Sequence, residues 1–174
     1  VFAHLSGYGT VLNSNFEVGQ RRYGCPAGIY AELTPQFTIE QDTFTMAQVH
    51  PEEYYGVIIK DSKSVNQVYG NVFEDLYCGN IAVDVNHTMR DHFKGLTYRC
   101  NENYNNKCDF YVSSENINPS DANGIQQNQG MVGETANNTF SQPSPGNNPK
   151  HILNYGDYGI NYYYDGSQNN ATPM

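Results

Sequence analysis

Basic residues are scarce in this 174-residue chain. Lys and Arg number 9 against 18 Asp and Glu, which gives a net charge of −9 at pH 7 with His neutral. Nucleic acids and anionic membrane surfaces are held largely by clustered cations, so this composition disfavours both as the main partner. No apolar run approaches the roughly 18 residues that a membrane-spanning helix needs. We therefore expect a soluble protein of about one domain plus extensions.

Common catalytic and metal-binding motifs are missing as well. The sequence has no G-x-S-x-G nucleophile elbow, no G-x-x-x-x-G-K phosphate loop and no two histidines at i and i+4. No C-x-x-C pair is present, so neither a zinc ribbon nor a thioredoxin-type redox site is indicated. The sequence predicts no metal site and no cofactor.

The cysteines and the start of the chain indicate the compartment. The four cysteines form an even set: Cys25, Cys78, Cys100 and Cys108. An even set without metal-ligand spacing is typical of disulfides, which form in oxidising compartments. The chain begins at Val1 rather than Met, as expected after removal of a signal peptide. Three N-x-[ST] sequons are glycosylation candidates: Asn86, Asn137 and Asn170. We expect a secreted protein.

The first third of the chain predicts an arm, a hairpin and a helix. Residues 1–20 show no clean hydrophobic period and are interpreted as an extended arm. Strand and turn residues over 21–33 predict a β-hairpin. At Thr34-Pro35 an N-cap residue precedes a proline, which favours a helix through about Gln48. The same stretch also alternates polar and apolar residues as a strand does, but we predict the helix.

The remainder predicts strands followed by a polar tail. Four runs rich in β-branched and aromatic residues predict consecutive antiparallel strands: 54–59, 65–73, 76–85 and 93–100. The fold class is therefore α+β, within a domain over 21–112. Residues 113–174 are rich in Asn, Gln, Gly, Ser and Pro, which predicts a tail without its own core. Clustered tyrosines at 155–164 either dock on the domain or a partner, or are unstructured.

Several of these strands resemble those of the fungal guanyl-specific ribonucleases and sarcin-like ribotoxins. Tyr77-Cys78-Gly79-Asn80-Ile81-Ala82 resembles their aromatic-Cys-Gly-Ile-Ile-Ala-His strand, and Tyr54-Tyr55-Gly56-Val57-Ile58-Ile59 resembles their Tyr-Tyr-Glu-Trp-Pro-Ile strand. Tyr23-Gly24-Cys25 resembles the aromatic-x-Cys of their first strand. The resemblance covers residues 23–100. It implies an N-terminal hairpin and one helix packed on a four-stranded antiparallel sheet, with disulfides Cys25–Cys100 and Cys78–Cys108.

The catalytic positions of that family are replaced here. Its Glu base, phosphate-binding Arg and His acid fall on Gly56, Gln67 and Val83 in this register. None of these side chains can supply the proton transfer or the positive charge that the reaction needs. The chain is thus most similar to the catalytically dead ribonuclease-like effectors that powdery mildew and related plant-pathogenic fungi secrete. This resemblance implies a non-enzymatic, monomeric virulence protein that can enter host cells, that binds a host protein or RNA and that a plant immune receptor can detect.

Candidate binding residues follow from that hypothesis. They are aromatic or loop residues outside the predicted helix: Tyr54, Tyr55, Tyr69, and His87 and His92 in the loop 86–92. The alternative is that the tyrosines simply pack the sheet. A second function hypothesis is an active ribonuclease with a rearranged acid and base, either His50 with Glu53 or His87 with His92. A third is a structural cell-surface glycoprotein.

Overall fold

Strands are the only regular elements in the part of the chain that the structure describes. The structure is a computed structural model that describes residues 3–5, 7–19, 26–47, 53–115, 121–167 and 173. No helix occurs within these ranges. The strands are β1 Ala3–Leu5, β2 Gly9–Leu12, β3 Asn15–Val18, β4 Ala27–Glu32, β5 Phe37–Glu40, β6 Thr43–Met46, β7 Tyr55–Lys60, β8 Asn66–Tyr69, β9 Val72–Glu74, β10 Cys78–Val83, β11 His87–Thr88, β12 Asp91–Arg99, β13 Glu102–Tyr104, β14 Cys108–Ser113, β15 Asn128–Met131, β16 Glu134–Thr135, β17 Lys150–Asn154 and β18 Asn161–Tyr162.

The strands wind into a β-solenoid of about five turns. Each full turn contributes one strand to each of three sheets. Sheet A has the order β1-β4-β7-β10-β14-β17, sheet B has β11-β12-β8-β5-β2, and sheet C has β13-β9-β6-β3. A small fourth sheet has the order β16-β15-β18. Pairing between successive turns is parallel, and the two antiparallel pairs among the described strands, β11 with β12 and β15 with β16, are local hairpins.

The interior consists of stacked side chains. Because the parallel strands are in register, side chains from equivalent positions lie directly above one another. The Phe16 and Phe44 rings stack at 4.8 Å and 9°, and the Phe44 and Phe73 rings stack at 4.9 Å and 8°. Ile29 and Val57 are likewise register partners and are fully buried. This continuous core is what holds the turns together, since each strand alone buries little.

Glycine on the inner face of sheet A makes room for the phenylalanine stack. A Cβ at Gly28 would lie 2.7 Å from Phe44 Cδ1, and a Cβ at Gly56 would lie 2.6 Å from Phe73 Cδ1. Real Cβ atoms essentially never make contacts that short. The glycines at these two positions are therefore required by packing.

The turn between sheets B and C repeats one conformation and one hydrogen-bond pattern. In successive turns a residue with positive φ precedes a buried polar residue, as in Gln41-Asp42 with φ 56° and Cys100-Asn101 with φ 56°. The side-chain oxygen of Asn71 accepts the Asp42 N–H at 2.9 Å, and that of Asn101 accepts the Asn71 N–H at 3.1 Å. Asn138 continues the ladder by accepting the Asn101 N–H at 2.9 Å. At this turn the backbone N–H groups cannot bond within the sheets, and the buried side-chain oxygens accept their hydrogen bonds instead.

The predicted helix at 34–48 is wrong, since β5 and β6 occupy that stretch. Phe37, Ile39 and Phe44 point inward with 2% or less of their surface exposed, while Thr38 and Glu40 stay half-exposed. This is the period-two alternation noted in the sequence. The capping signal at Thr34-Pro35 is overridden because a strand buries these apolar residues against the turns above and below.

The predicted antiparallel sheet is wrong as well. The runs at 54–59 and 76–85 do form strands, β7 and β10, but these pair in parallel, with Tyr55 opposite Cys78. The run at 65–73 lies on different sheets, in β8 and β9. Strands adjacent in sequence therefore occupy different faces of the solenoid, and a strand pairs with its equivalent one turn away.

The predicted tail at 113–174 and the ribonuclease resemblance are also overturned. Strands β15 to β18 come from the tail, and Ile125, Ala136 and Phe140 are buried in the core. Many of its polar residues satisfy backbone groups at turns, so asparagine content here reflects the solenoid and not a lack of structure. An all-strand parallel solenoid is incompatible with a helix packed on an antiparallel sheet. The described residues also include no helix long and apolar enough to cross a membrane.

Candidate functional site

The outer face of sheet A carries a row of aromatic and aliphatic side chains. Tyr30, Ile58, Ile81 and Tyr111 are register partners on β4, β7, β10 and β14. Neighbouring strands in a sheet lie about 4.8 Å apart, so Tyr30 and Tyr111 are separated by about 14 Å along the solenoid axis. The row therefore repeats one apolar contact per turn.

The row forms the floor and ends of a groove, which we call the tyrosine groove. Its lining residues are Tyr30, Tyr55, Ile58, Lys60, Ile81, Val83, Tyr111, Ser113, Ser114 and Glu115. Ile58 and Val83 are 5% and 6% exposed and form a recessed floor, whereas Tyr30 and Tyr111 are half-buried and rise at the two ends. Ala27 packs with Ile58 and Val83 beneath the surface.

Further tyrosines extend the apolar surface on both sides of the groove. The Tyr55 ring meets Tyr77 edge to face at 6.0 Å, and the Tyr111 ring lies 5.6 Å from that of Tyr155. Tyr77 and Tyr155 keep 39% and 61% of their surface exposed. Lys107 Nζ lies 5.7 Å from the centre of the Tyr77 ring, a cation–π distance.

The charges of the groove cancel. Among its lining residues the charged side chains are Lys60 and Glu115, which form an ion pair with Nζ and Oε2 2.9 Å apart. The hydrogen bond from Lys60 to Glu115 raises the pKa of the lysine, so its ammonium group stays charged at neutral pH. The lining residues therefore carry no net charge, and the Glu32 carboxylate lies beside Tyr30 at the edge of the groove.

The tyrosine hydroxyls at the ends of the groove stay protonated. Burial and the nearby Glu32 carboxylate raise the pKa of Tyr30, and burial together with Tyr155 raises the pKa of Tyr111. The Tyr111 hydroxyl can therefore both donate and accept a hydrogen bond beside its ring, and the Tyr30 hydroxyl, which donates to Glu32, can still accept one. This combination suits a ligand that has apolar and hydroxyl-bearing surfaces together.

The structure separates the tyrosines expected to form a binding surface. Tyr54 is 1% exposed and belongs to the core. Tyr55 lines the tyrosine groove, while Tyr69 lies half-buried on the outer face of sheet B.

The three positions equated with ribonuclease catalytic residues are not brought together either. Gly56 faces the interior against Phe73, Val83 lies in the groove floor, and Gln67 lies on sheet B.

The histidine candidates are held by local contacts. His87 is 1% exposed, and its ring nitrogens contact the backbone oxygens of Thr88 at 2.9 Å and Ala122 at 2.7 Å. The His92 ring packs 4.5 Å from Phe93. His50 lies outside the described residues, and the Glu53 carboxylate accepts a hydrogen bond from the Tyr55 hydroxyl at 2.5 Å.

The cysteines and sequons occupy distinct environments. Cys25 and Asn170 lie outside the described residues. Cys100 is a half-buried free thiol, and Cys78 and Cys108 are buried free thiols opposite one another on β10 and β14.

The sequon residue Asn86 is fully buried. Its side-chain oxygen accepts the Ser62 N–H at 3.0 Å, and its side-chain nitrogen donates to the Val83 oxygen at 2.7 Å. In the folded chain this amide is enclosed, whereas Asn137 is half-buried and bonds the Thr135 hydroxyl.

Sequence reasoning missed most of the groove. A usable signal was present in four sheet A strands, which end on an outer tyrosine or isoleucine and of which the first three carry an inner glycine at the second position: Ala27-Gly28-Ile29-Tyr30, Tyr55-Gly56-Val57-Ile58, Cys78-Gly79-Asn80-Ile81 and Cys108-Asp109-Phe110-Tyr111. Such internal similarity is the mark of a solenoid.

The fold defines the chain as a mostly parallel β-solenoid, and its described residues show no cluster of three or more His, Cys, Asp or Glu placed to hold a metal ion. No known protein family, curated protein or solved structure matches this chain. The tyrosine groove is therefore interpreted from its own geometry.

Proposed function

We propose that this protein is a non-catalytic binding protein whose tyrosine groove holds an extended, uncharged polysaccharide. The observation that carries the proposal is the in-register row of Tyr30, Ile58, Ile81 and Tyr111 on the outer face of sheet A. A solenoid presents its surface as repeated units along one axis, which suits a polymer of repeated units.

The chemistry of the groove fits sugar rings. One face of a pyranose is rich in C–H groups that pack on aromatic and aliphatic surfaces, and its rim carries hydroxyl groups. Tyr30 and Tyr111 offer ring faces beside protonated hydroxyls, and Ile58 and Ile81 provide an apolar floor between them. Ser113, Ser114 and the Lys60–Glu115 pair offer polar partners at the side of the groove. An apolar pocket with a few convergent polar groups is the usual form of a ligand site.

The charge balance favours a neutral chain over an anionic one. Lys60 is the one basic lining residue and is already paired with Glu115. A nucleic acid or a polyuronate needs surplus cations to offset its own charge. The net charge of −9 would also repel such polymers at long range. Secretion belongs to this proposal, since extracellular polysaccharides are the ligands it implies.

Binding of soluble polysaccharides to the full chain tests the proposal. We expect a soluble neutral glucan or xylan to bind, measured by calorimetry or affinity electrophoresis, without release of reducing ends. Tyr30→Ala and Tyr111→Ala should each raise Kd about fivefold, because an aromatic contact contributes about 1 kcal/mol. Tyr69→Ala is the matched control, since it removes an equally half-buried tyrosine from sheet B.

Salt and competitor measurements separate this ligand from others. Raising NaCl tenfold should leave the Kd for a neutral glycan within about twofold, whereas RNA binding would weaken steeply. The proposal is overturned if no neutral polysaccharide binds, if polygalacturonate or RNA binds more tightly, or if Tyr69→Ala is as damaging as the groove variants. Release of reducing ends that survives repurification would make the protein an enzyme instead.

A further inference from the structure

Two cysteines face each other on neighbouring strands of sheet A. Cys78 opens β10 and Cys108 opens β14, and the two are register partners in a parallel pair. The Cα atoms of such partners lie about 4.8 Å apart. That separation falls inside the range of about 4.4–6.8 Å over which disulfides are found.

The two side chains also have equivalent orientations. Cys78 Sγ donates to the Asn80 oxygen at 3.3 Å, and Cys108 Sγ contacts the Phe110 oxygen at 3.5 Å, so each thiol bonds two residues along its own strand. The two thiols lie close enough to interact, since Cys108 contributes to the raised pKa of the Cys78 thiol after the larger effect of burial. They are 1% and 6% exposed, and other partners from solvent are therefore kept away.

We propose that Cys78 and Cys108 form a disulfide that cross-links two successive turns of the solenoid. The two thiols lose two protons and two electrons as the S–S bond forms. A disulfide such as oxidised glutathione accepts them and is released as two thiols. The inference does not depend on polysaccharide binding, because it rests on the register of β10 and β14 alone.

The remaining described cysteine is placed elsewhere. Cys100 lies at the turn between sheets B and C, where it has a positive φ of 56°. It does not sit opposite either sheet A cysteine, so the register selects one pair among the three described thiols.

The bond should form during folding. Burial raises the pKa of the Cys78 thiol, which lowers the fraction of reactive thiolate once the solenoid is complete. Oxidation of the refolding chain should therefore be fast, and oxidation of the folded reduced chain should be slow.

Peptide mapping of the unaltered full chain tests the proposal. The protein is refolded in reduced and oxidised glutathione, free thiols are alkylated, and the chain is digested with trypsin without reduction. Cleavage after Arg90, Arg99 and Lys107 places Cys78, Cys100 and Cys108 on different fragments. We expect the fragments of Cys78 and Cys108 to be linked, and the link to persist in the control variant Cys100→Ala.

The melting temperature gives an independent readout. The bond closes a loop of about 30 residues, for which chain entropy predicts that Tm rises by roughly 10 °C over the same sample kept reduced. This difference should vanish in Cys78→Ala and in Cys108→Ala. Recovery of both cysteines in alkylated form, or linkage of either one to Cys25 or Cys100, overturns the proposal even if a variant fails to fold.

Discussion

At the scale of single residues, the buried turns depend on amides that both accept and donate. In the ladder between sheets B and C, the Nδ2 of Asn71 donates to the Ile39 oxygen at 2.9 Å, and that of Asn101 donates to the Val68 oxygen at 3.0 Å. Asp42 occupies the same place one turn earlier. Its Oδ1 accepts the Ser14 N–H at 2.7 Å, but its Oδ2 is buried and has no hydrogen-bond partner among the described residues.

The substitution Asp42→Asn should stabilise the protein. The new amide would reach the Val11 oxygen, because Val11 is the register partner of Ile39 one turn earlier. One added buried hydrogen bond contributes about 1 kcal/mol to the free energy of unfolding at pH 7, and removal of a buried charge adds to it. Denaturant unfolding of the variant and the wild type measures the difference.

The gain from Asp42→Asn should depend on pH in one direction. Burial raises the pKa of Asp42, so the folded protein binds this proton more tightly than the unfolded chain, whose Asp has a pKa of about 3.9. The wild type therefore loses stability as pH rises above about 4 through the folded pKa, and the advantage of the variant grows over that interval. Asp61→Asn, at a half-buried carboxylate 3.6 Å from Lys63, is the control and should change stability by less than about 0.5 kcal/mol. An equal or larger gain at pH 4 than at pH 7 would contradict this account.

At the scale of elements, sheets A and C meet through a contact between glycine and phenylalanine. Gly56 of β7 lies against Phe73 of β9 and against the backbone of Gly79 on β10. The φ of Gly56 does not lie in the left-handed region, so alanine is conformationally acceptable there. The glycine is present because the space is filled.

The substitution Gly56→Ala should destabilise the solenoid by about 1–3 kcal/mol, since overpacking displaces backbone and ring together. Its Cβ would lie 2.5 Å from the Gly79 oxygen and 2.6 Å from Phe73 Cδ1. Thermal and denaturant unfolding measure the loss. Gly159→Ala, where a Cβ meets nothing within 4 Å, is the matched control. In a Phe73→Ala background the cost of Gly56→Ala should be smaller, and an unchanged cost would remove the ring from the explanation.

At the scale of the whole molecule, stability is built turn by turn. Strands of sheet A contact the equivalent strands of the turns before and after, so each turn depends mainly on its neighbours. Val57 and Asn80 are register partners. Joining Gly56 directly to Asn80 would therefore give a continuous strand in which each side chain keeps its inward or outward orientation.

Deleting residues 57–79 should therefore remove one turn and leave a folded solenoid. We expect a strand-type circular dichroism spectrum and cooperative unfolding, with a lower Tm and a denaturant m-value reduced by about a fifth, since one of about five turns is lost. Deleting residues 57–80 is the control. This deletion shifts the rest of the strand by one residue, so inward side chains would point outward and outward side chains inward. The resulting variant should not unfold cooperatively. Equal behaviour of the two deletions would count against a register-based solenoid.

The sequence by itself determined part of the strand positions, although it also favoured a helix at 34–48 and a tail at 113–174, where strands in fact lie. The β-branched and aromatic runs at 54–59 and 76–85 are strands, and Phe37 and Ile39 alternate as a strand requires even though the capping signal favoured a helix. Asparagine content predicted a tail without structure, yet these side chains make long-range contacts, such as the hydrogen bond that the Asn101 N–H donates to Asn138 Oδ1. These partners are not visible along the chain.

Only the tertiary structure decided how the strands pair and therefore where the groove lies. Period-two alternation is the same for parallel and antiparallel neighbours, and the register partners along sheet A are unevenly spaced in sequence: Ala27, Tyr55, Cys78, Cys108 and Lys150. Tyr30 and Tyr111 are far apart in the chain and share one surface only because each turn stacks on the last. Local propensity sets the strand, but winding of the chain sets which outward side chains meet.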